Sequence, residues 1–334
     1  MKYSRILTIG DIHAKLAHLR EIELLEKKTQ EILKQDDSIT SVVLTGDLSN
    51  DFAKMHMQSF NAIISLLKTI TQYVDLYYIV GNHDAINNRI FLTDDHFFNA
   101  FKEWKRVTVV DKPMRLDLLS GFIVLCPYVP PGRLEEALDT LKEPWRDATA
   151  IFCHQEFHGA NMGAITSNEG DIWPLEAPLA ISGHIHEYQR LQPNILYVGT
   201  PYYTSFGDSQ RKTISLFDFS KSPLTEKRIE LGLPKKITQT IAVAEFKQYE
   251  VPENAHVRLY VSGTTEEIEK LKKTKRYQEF AQKIKIIPKP TNTVTVQRNT
   301  QNKGYIDLLS DAVKKETPTV RKLFKEVVQD ADNT

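Results

Sequence analysis

The chain has little cysteine and no long apolar run. Only two cysteines, Cys126 and Cys153, occur among 334 residues, and both stand in apolar surroundings. We therefore expect buried thiols in a reducing compartment rather than a disulfide. No stretch of 18 apolar residues is present, which argues against a membrane-spanning helix. The first strand is expected to begin by Arg5, which leaves no room for a secretion signal. Together these features predict a cytoplasmic protein.

Neither sign of charge is in excess over the whole chain, but its two parts differ. Residues 1–233 carry 24 Lys and Arg against 30 Asp and Glu, whereas residues 234–334 carry 19 against 13. The C-terminal part would therefore attract a polyanion. The chain is longer than a single hydrophobic core usually accommodates. We therefore expect a first domain over 1–233, a small domain over 234–296 and a helical segment over 297–334.

Short polar islands follow five apolar runs, and each run predicts a buried strand. The runs are Ile6 to Ile9, Val42 to Leu44, Leu76 to Val80, Ala150 to Phe152 and Leu179 to Ile181. The islands are Gly10-Asp11-Ile12-His13, Gly46-Asp47-Leu48, Gly81-Asn82-His83-Asp84, Cys153-His154 and Gly183-His184-Ile185-His186. In open α/β sheets, ligands collect at the carboxyl ends of strands, so we expect the islands to meet at one rim.

The islands supply seven candidate metal ligands: Asp11, His13, Asp47, Asn82, His154, His184 and His186. Such oxygens and imidazole nitrogens suit Mn²⁺, Fe²⁺ or Zn²⁺, whereas calcium sites use mostly oxygen and structural zinc sites use cysteine. Seven ligands are too many for one ion, but they suffice for two if Asp47 bridges them. Two metals about 3.5 to 4 Å apart activate water and clamp an in-line displacement at phosphorus, so the pattern predicts hydrolysis of a phosphate ester.

Isolated histidines carry no role in this interpretation. A lone histidine is more often a surface residue or a satisfied core residue than a ligand, and this applies to His18, His56, His96, His158 and His256. An isolated Asp-x-His or His-x-His is equally weak evidence for metal binding, because such tripeptides are common by chance. Five islands in order, each after a strand-like run, are far more specific.

In this order the islands resemble the pattern D-x-H, G-D, G-N-H-[DE], H and G-H-x-H of the calcineurin-like metallophosphoesterase superfamily, over about residues 1 to 220. The resemblance implies a four-layer α/β sandwich that holds two divalent metals, with manganese as the expected ion. It implies that the first metal is held by Asp11, His13, Asp47 and His186. It implies that the second is held by Asp47, Asn82, His154 and His184.

The same resemblance implies catalytic roles in the third island. His83 would face the phosphate and assist the leaving group, and an imidazolium suits this role because it can donate a proton near neutral pH. Asp84 would either orient His83 or cap the following turn, and the sequence leaves both roles open.

Within the superfamily, the chain is more similar to the SbcD-type DNA repair nucleases than to the protein Ser/Thr phosphatases. The phosphatases continue the second island as G-D-x-V-D-R-G, where this chain has Gly46-Asp47-Leu48-Ser49-Asn50. Tyr197-Val198-Gly199-Thr200-Pro201, followed by Phe206-Gly207-Asp208, is similar to the Y-x-G-S stretch of the nucleases and its F-x-E-like end. The chain departs from that branch at Ser49-Asn50, where Phe-His or Phe-Asp is common.

After residue 233 the pattern indicates a small α/β unit that resembles the capping domain of these nucleases. Strands are expected at Thr240 to Phe246, Val257 to Val261 and Ile284 to Ile287, and a helix at Glu266 to Thr274. A basic run near that helix would either contact a DNA backbone or form a solvated helix face. Its residues are Lys270, Lys272, Lys273, Lys275 and Arg276.

The C-terminal segment has apolar residues at helical spacing in two short stretches. Among them are Ile306, Leu309, Val313, Leu323, Phe324 and Val327. Two amphipathic helices with little domain left to cover them are typical of a docking segment, although they could also fold back on the preceding unit. In the nuclease branch, the matching helices bind the coiled coil of an SbcC-type ABC ATPase.

Two further stretches, Ala53 to Thr71 and Phe91 to Trp104, show helical patterns with apolar residues such as Phe98. These residues can belong to the core. In the nuclease branch, helices in corresponding places pair two subunits, so the resemblance implies a homodimer with two active sites beside one DNA cleft.

The resemblance to the nuclease branch therefore implies a hydrolase that cleaves DNA in recombination and repair. It implies a 3′ to 5′ exonuclease on double-stranded ends with single-strand endonuclease activity, which would act with the ATPase. Two other classes stay open. A phosphodiesterase for small molecules or cyclic nucleotides would use the same ligands without a basic unit or a docking tail, and a non-catalytic scaffold would hold DNA ends.

Overall fold

A computed structural model describes residues 4–163, 165–208 and 211–291, together with Val313, Lys314, Thr317, Thr319, Val320, Leu323 and Phe324. In the expected docking segment, Leu323 is 63% exposed, whereas Val313 and Phe324 are half-buried. Ile306, Leu309 and Val327 lie outside the described residues. None of the helices in the described part of the chain has the length and apolar character that crossing a bilayer requires.

The described residues contain fifteen strands, numbered β1 to β15 in chain order. Their bounds are Arg5–Ile9, Ser41–Leu44, Asp75–Ile79, Val107–Val110, Met114–Asp117, Phe122–Leu125, Ala150–Cys153, Leu179–Ser182, Gln189–Gln192, Ile195–Tyr197, Ile214–Asp218, Thr225–Ile229, Lys235–Ala242, Ala255–Gly263 and Lys285–Pro290. The five strands expected before the polar islands are thus β1, β2, β3, β7 and β8, and each is present.

Helices α1 to α5 in the described residues cover Leu19–Gln35, Met57–Thr71, Leu134–Leu138, Thr265–Lys272 and Lys275–Ala281. Short 3₁₀ helices cover Leu16–His18, Asn82–Asp84, Phe97–Glu103, Trp145–Asp147 and Val243–Glu245. Helix α1 shows why such a segment is helical: Ile22, Leu25, Thr29 and Leu33 are buried at spacings of three and four residues, which places them on one face.

Three expected elements differ from the structure. The helix expected over 91–104 is a 3₁₀ helix that begins only at Phe97, because His96 is extended and its ring accepts a hydrogen bond from the Phe98 amide. Ala53 has a φ of 52°, so α2 begins at Met57 rather than at residue 53. The strand expected to reach Phe246 ends at Ala242, whose amide donates to the Glu245 carboxylate and starts a 3₁₀ turn.

Two six-stranded sheets form the centre of the protein. The first has the order β12-β11-β1-β2-β3-β4, in which β1 to β4 are parallel and β11 and β12 are added antiparallel. The second has the order β5-β6-β7-β8-β10-β9, with a parallel centre of β6, β7, β8 and β10. The polar islands therefore leave parallel strands at their carboxyl ends in both sheets.

Alternating side chains divide the core into layers. Ile6 of β1 packs with residues of the second sheet, such as Phe152, between the two sheets. Leu7 and Ile9 point the other way and pack against α1 and α2. On the outer face of the second sheet, Leu134 and Leu138 of α3 complete another core. Helices, sheet, sheet and helices make four layers, so the predicted α/β sandwich is confirmed.

A third sheet, β13-β14-β15, is entirely parallel and packs with α4 and α5 around Phe246, Val257, Leu259, Val261 and Ile284. The Lys236 ammonium donates to Nε2 of His18 and to the Thr204 carbonyl, each at 3.0 Å. His256 of the same sheet lies 2.7 Å from the buried Glu21 carboxylate. The third sheet therefore rests on the start of α1 and on the loop near residue 204.

Candidate metal centre

Glycines let the polar islands approach one another closely. A Cβ atom on Gly81 would collide with the side chain and the amide nitrogen of Asp47. A Cβ atom on Gly183 would likewise meet Oδ1 of Asp11 and the backbone of Thr45. A glycine in one island thus makes room for a candidate ligand from another. This contact explains why glycine recurs in these islands.

Three candidate ligands have an unusual backbone. The φ angles of His13, Asp47 and His184 are 45°, 49° and 76°, in the left-handed region that costs a non-glycine residue about 1 to 3 kcal/mol. Hydrogen bonds hold these conformations: the Asp47 carbonyl accepts from the His13 amide at 2.9 Å, and the Asp11 carboxylate accepts from the His184 amide at 2.9 Å. The fold therefore fixes the ligand positions through the backbone.

Asp11, His13 and His186 form the first group of candidate ligands. Nε2 of His13 lies 2.8 Å from Nε2 of His186 and 3.9 Å from Oδ2 of Asp11. Oδ2 of Asp47 lies 3.6 Å from the same His13 nitrogen. Two facing imidazole nitrogens beside two carboxylates make a donor set that fits a divalent Mn, Fe or Zn ion.

Asn82, His154 and His184 form the second group. Oδ1 of Asn82 lies 3.0 Å from Nε2 of His154 and 3.1 Å from Nδ1 of His184. Nδ1 of His154 donates to the Thr45 carbonyl at 2.7 Å, which leaves Nε2 as the nitrogen that can bind a metal. Oδ1 of Asp47 lies 3.4 Å from that nitrogen. Asp47 therefore directs one oxygen to each group, which is the geometry that a bridging ligand needs.

Burial and mutual charge set the protonation of the ligands. Burial lowers the pKa of His13 to about 3 and the pKa of His186 to about 4, so both rings are neutral at pH 7 and offer lone pairs. Burial opposes ionisation of Asp47, but its contact with His154 holds its pKa well below the usual range. Burial, reinforced by the charge of Asp47, raises the pKa of Asp11. A bound cation would oppose both effects and favour the ionised form of Asp11.

His83 lies at the open edge of this centre. Its side chain is 30% exposed, whereas the side chain of His154 is 0% exposed. Nδ1 of His83 donates to the Asn50 carbonyl at 2.8 Å, so Nε2 is the nitrogen that faces Asp47, at 4.0 Å from Oδ2. A residue held by one ring nitrogen, with the other directed to the site, has the arrangement of a proton donor.

Asp84 is fully buried behind His83. Its Oδ1 accepts from the Ser49 amide at 2.8 Å, and its Oδ2 accepts from the Gly81 amide at 2.9 Å. Burial, followed by the charge of Asp47, raises the pKa of Asp84 to about 8. These contacts join the second and third islands and close the turn at residues 81–84. Of the two roles that the sequence left open, the geometry supports the capping role.

Three neighbours of the centre were absent from the sequence interpretation. The Glu156 carboxylate lies 3.6 Å from Nε2 of His184, on the side of the ring opposite Asn82. The Tyr128 ring stacks on His184, and the Phe52 ring stacks on His83. Glu156 follows the fourth island by two residues, which is the only sequence feature that points to it. The two aromatic contacts depend on tertiary structure.

The basic run predicted to contact DNA lies on and between α4 and α5. Lys270, Lys273 and Lys275 are exposed. Arg276 donates to the Tyr249 carbonyl at 2.6 Å and packs over the Phe280 ring, so it also supports the fold of the third sheet. The structure does not bring this run to the metal ligands. A DNA contact by these residues stays a prediction.

The stretches expected to pair two subunits lie mainly in the core. Phe98 is 0% exposed and Phe101 is 2% exposed, and both pack against α2 and the first sheet. Phe98 is therefore not available to a second copy of the chain, because its ring already contacts Tyr78 and Phe60. Met57 at the start of α2 is 72% exposed and remains accessible.

Comparison with known proteins identifies a family for this architecture. The family described as calcineurin-like phosphoesterase matches residues 4–188. The chain is also similar to the protein named "Putative phosphoesterase 078R" of Invertebrate iridescent virus 3, with 35% identity over 319 residues that cover 92% of this chain and 91% of the relative. Similarity to "Putative phosphoesterase 244L" of Invertebrate iridescent virus 6 is 35% over 82% of this chain and 99% of that protein.

The chain therefore belongs to the calcineurin-like phosphoesterase family. Family membership makes it a phosphoesterase, and the clustered His and Asp side chains at the strand ends provide the candidate site for divalent metals.

Proposed function

We propose that this phosphoesterase is a two-metal nuclease that cleaves DNA, with Mn²⁺ as its ion. Asp11, His13, Asp47 and His186 hold one ion, and Asp47, Asn82, His154 and His184 hold the other. The ions supply Lewis-acid polarisation and charge neutralisation at phosphorus. The observation that carries the proposal is the convergence of seven donors from five strand ends, with Asp47 directing one oxygen to each group.

His83 assists the leaving oxygen in this proposal. Its Nδ1 is engaged by the Asn50 carbonyl, which fixes the orientation of the ring. Its Nε2 faces the centre from the exposed edge, where a substrate phosphate has access. Donation of the Nε2 proton neutralises the departing alkoxide. Asp84 acts only as a positioning residue, since it closes the turn that carries His83.

A polymeric substrate is supported by the surface beside the centre. A cavity of about 460 Å³ borders His184 and His186 and is walled by residues of the loop at 204–208. On the other side of that loop, Phe206 shares a groove of about 340 Å³ with Lys283 and Lys285 of the third sheet. A strand that leaves the metal centre across this loop would meet two cations, which suits a phosphate backbone.

The finer features of the proposal rest on the family resemblance. The 3′ to 5′ direction on double-stranded ends, the single-strand endonuclease activity and the role in recombination and repair follow from the SbcD-type pattern. The same pattern supplies the partners, namely an SbcC-type ABC ATPase with a coiled coil and a second copy of this chain.

The test is an assay of the purified full chain with Mn²⁺ on three substrates. These are linear duplex DNA labelled at one end, circular single-stranded DNA, and bis(p-nitrophenyl) phosphate. We expect release of nucleotides from the 3′ ends of the duplex, together with hydrolysis of the small ester. Asp47→Ala, prepared in parallel, should lose both activities and so exclude a contaminating nuclease.

Each other outcome contradicts part of the proposal. Hydrolysis of the small ester alone would identify a phosphodiesterase for small molecules or cyclic nucleotides. Binding of DNA ends without hydrolysis of any substrate would identify a non-catalytic scaffold.

A further inference from the structure

Lys212 is a charged residue inside the protein, behind the metal centre. Its side chain is only 4% exposed. A buried ammonium is costly unless hydrogen bonds and opposite charges compensate for lost water. Lys212 has such partners: the His186 carbonyl at 2.8 Å, the Glu187 carboxylate at 3.1 Å and the Asp208 carboxylate at 3.5 Å. All three lie beside the candidate ligand His186 or beside the cavity next to it.

The first set of Lys212 contacts holds the backbone of a candidate metal ligand, His186. The His186 carbonyl accepts hydrogen bonds from both the Lys212 ammonium and the Thr200 amide, the latter at 3.1 Å. Glu187, the next residue, is drawn to the same ammonium. The backbone of His186 is thereby fixed at the point from which its ring reaches His13. Contacts behind a ligating residue commonly set the orientation of the ligand.

The other set of contacts acts on the wall of the cavity. The Asp208 carboxylate accepts from the Thr204 amide at 2.7 Å and from the Ser205 hydroxyl at 2.8 Å, which closes the loop at 204–208. Ser205, Gly207 and Asp208 line the cavity of about 460 Å³ that His184 and His186 border. Lys212 therefore contacts both the ligand segment and the opposite wall.

The base of this arrangement is rigid. Lys212 stands two residues before β11, which pairs antiparallel with β1 in the first sheet. Strand β1 leads directly to Asp11 and His13, so Lys212 and two other candidate ligands are held by the same pair of strands. The hydrogen bond from Lys212 to the His186 carbonyl therefore holds the fifth island in a fixed position relative to the first sheet.

We propose that Lys212 is a positioning residue that fixes His186 for metal binding and sets the cavity wall through Asp208. It contacts neither metal nor substrate in this role. Charge alone makes the opposite prediction, because removal of a lysine leaves more negative charge near the centre and strengthens cation binding. The sign of the change in metal affinity therefore separates the two effects.

The experiment is a calorimetric titration of Mn²⁺ into the metal-stripped full chain, with wild type, Lys212→Met and Lys212→Arg compared without substrate. We expect Lys212→Met to bind one of two ions about 10 to 100-fold more weakly, as is usual when an outer contact of a ligand is lost. Lys212→Arg should recover most of that affinity, because a guanidinium can reach the same acceptors. Wild-type affinity in Lys212→Met, or a stronger affinity, would overturn the proposal.

Two controls separate positioning from general stability. Arg5→Met removes another partly buried cation from the β1–β11 pair, where Arg5 faces the Asp36 and Asp218 carboxylates and contacts no candidate ligand. It should bind Mn²⁺ like wild type, and an equal loss of affinity would overturn the proposal. If Lys212→Met fails to fold, Lys212→Met with Asp208→Asn removes one charge of each sign and leaves the local net charge unchanged. The double variant should also bind one ion more weakly, and wild-type affinity would contradict the proposed role.

Discussion

The phenyl ring of Phe52 lies against the imidazole of His83, with ring centroids 4.3 Å apart and planes inclined by 22°. Together with the hydrogen bond from Nδ1 to the Asn50 carbonyl, this contact limits rotation of the His83 ring. The side chain of His83 is 30% exposed, against 0% for His154 and 13% for His184. Phe52 therefore supplies packing that the other two rings obtain from the core.

Replacement of Phe52 should therefore lower turnover without loss of metal. We expect Phe52→Ala to reduce kcat for bis(p-nitrophenyl) phosphate about 3 to 10-fold, in line with the loss of an aromatic contact worth about 1 kcal/mol. Phe52→Tyr preserves the stacked ring and should keep the wild-type rate. Metal content measured by mass spectrometry should be the same in all three proteins, and metal loss in Phe52→Ala would contradict this role.

Substitution of His83 and of Asp47 should have different consequences for metal binding. His83→Gln should retain its metal but lose cleavage of DNA, because the proposal makes His83 a proton donor and not a ligand, although its Nε2 lies 4.0 Å from Oδ2 of Asp47. Asp47→Ala should lose both, because Asp47 directs an oxygen to each group. Bound metal and rate are measured on the same preparations. A His83→Gln protein that releases metal would show that His83 is itself a ligand.

Phe98 should be essential for folding rather than for pairing of subunits. Its ring is 0% exposed and packs within the first core. Phe98→Asp should therefore destabilise the chain by at least about 3 to 5 kcal/mol, the cost typical of Phe→Ala in a core. Urea denaturation followed by circular dichroism checks this. A folded Phe98→Asp protein of wild-type stability would mean that the core is packed differently.

The proposed homodimer is better tested at Met57, which is 72% exposed. Met57→Lys should leave stability unchanged and should shift the molecular mass in solution from dimer to monomer. Light scattering after size exclusion measures this. A wild-type chain that is monomeric at all concentrations would remove the dimer from the proposal.

A fall in pH should lower the free energy of unfolding partly through His18. Burial, helped by the nearby charge of Lys236, lowers the pKa of His18 from 6.5 to about 4. The unfolded chain therefore takes up the proton first as the pH falls. The stability that neutral His18 contributes is complete above pH 6.5 and is lost as the pH falls toward 4. In His18→Gln, the urea midpoint should fall less steeply over this range, and an unchanged slope would exclude His18 as a cause.

Deletion of residues 304–334 should separate hydrolysis from the ATPase partner. The truncated chain should keep its metal and its activity on bis(p-nitrophenyl) phosphate, but it should no longer co-purify with an SbcC-type ATPase or respond to ATP. Loss of folding on truncation would show instead that the tail belongs to the core of the preceding unit.

The sequence predicted that the candidate ligands converge, because their chemistry and their place after a strand are both local features. Asp11, Asp47 and His184 each follow a short buried strand, and parallel strands bring such exits together. It predicted the stretch around Phe98 poorly. Two aromatic residues three positions apart suit a 3₁₀ turn as well as an α-helix, and the extended His96 that decides between them has no local signature.

Contacts that depend on tertiary structure could not be predicted. Three such contacts join different loops. Phe52 stacks on His83, Glu156 approaches His184, and the Asp84 carboxylate accepts a hydrogen bond from the Ser49 amide. None of these pairs has a characteristic spacing along the chain. The left-handed backbone of His13, Asp47 and His184 is likewise set by hydrogen bonds to neighbouring loops rather than by residue type.

The space at Gly81 and Gly183 has a consequence for transplanting this centre into another scaffold. Gly81 makes room for Asp47, and Gly183 makes room for Asp11, so the second island requires the third and the first requires the fifth. A single grafted loop would bring its ligand without the gap into which that ligand fits. The smallest transferable unit is therefore a pair of loops. One pair follows the neighbouring strands β2 and β3, and the other follows β1 and β8, which belong to different sheets.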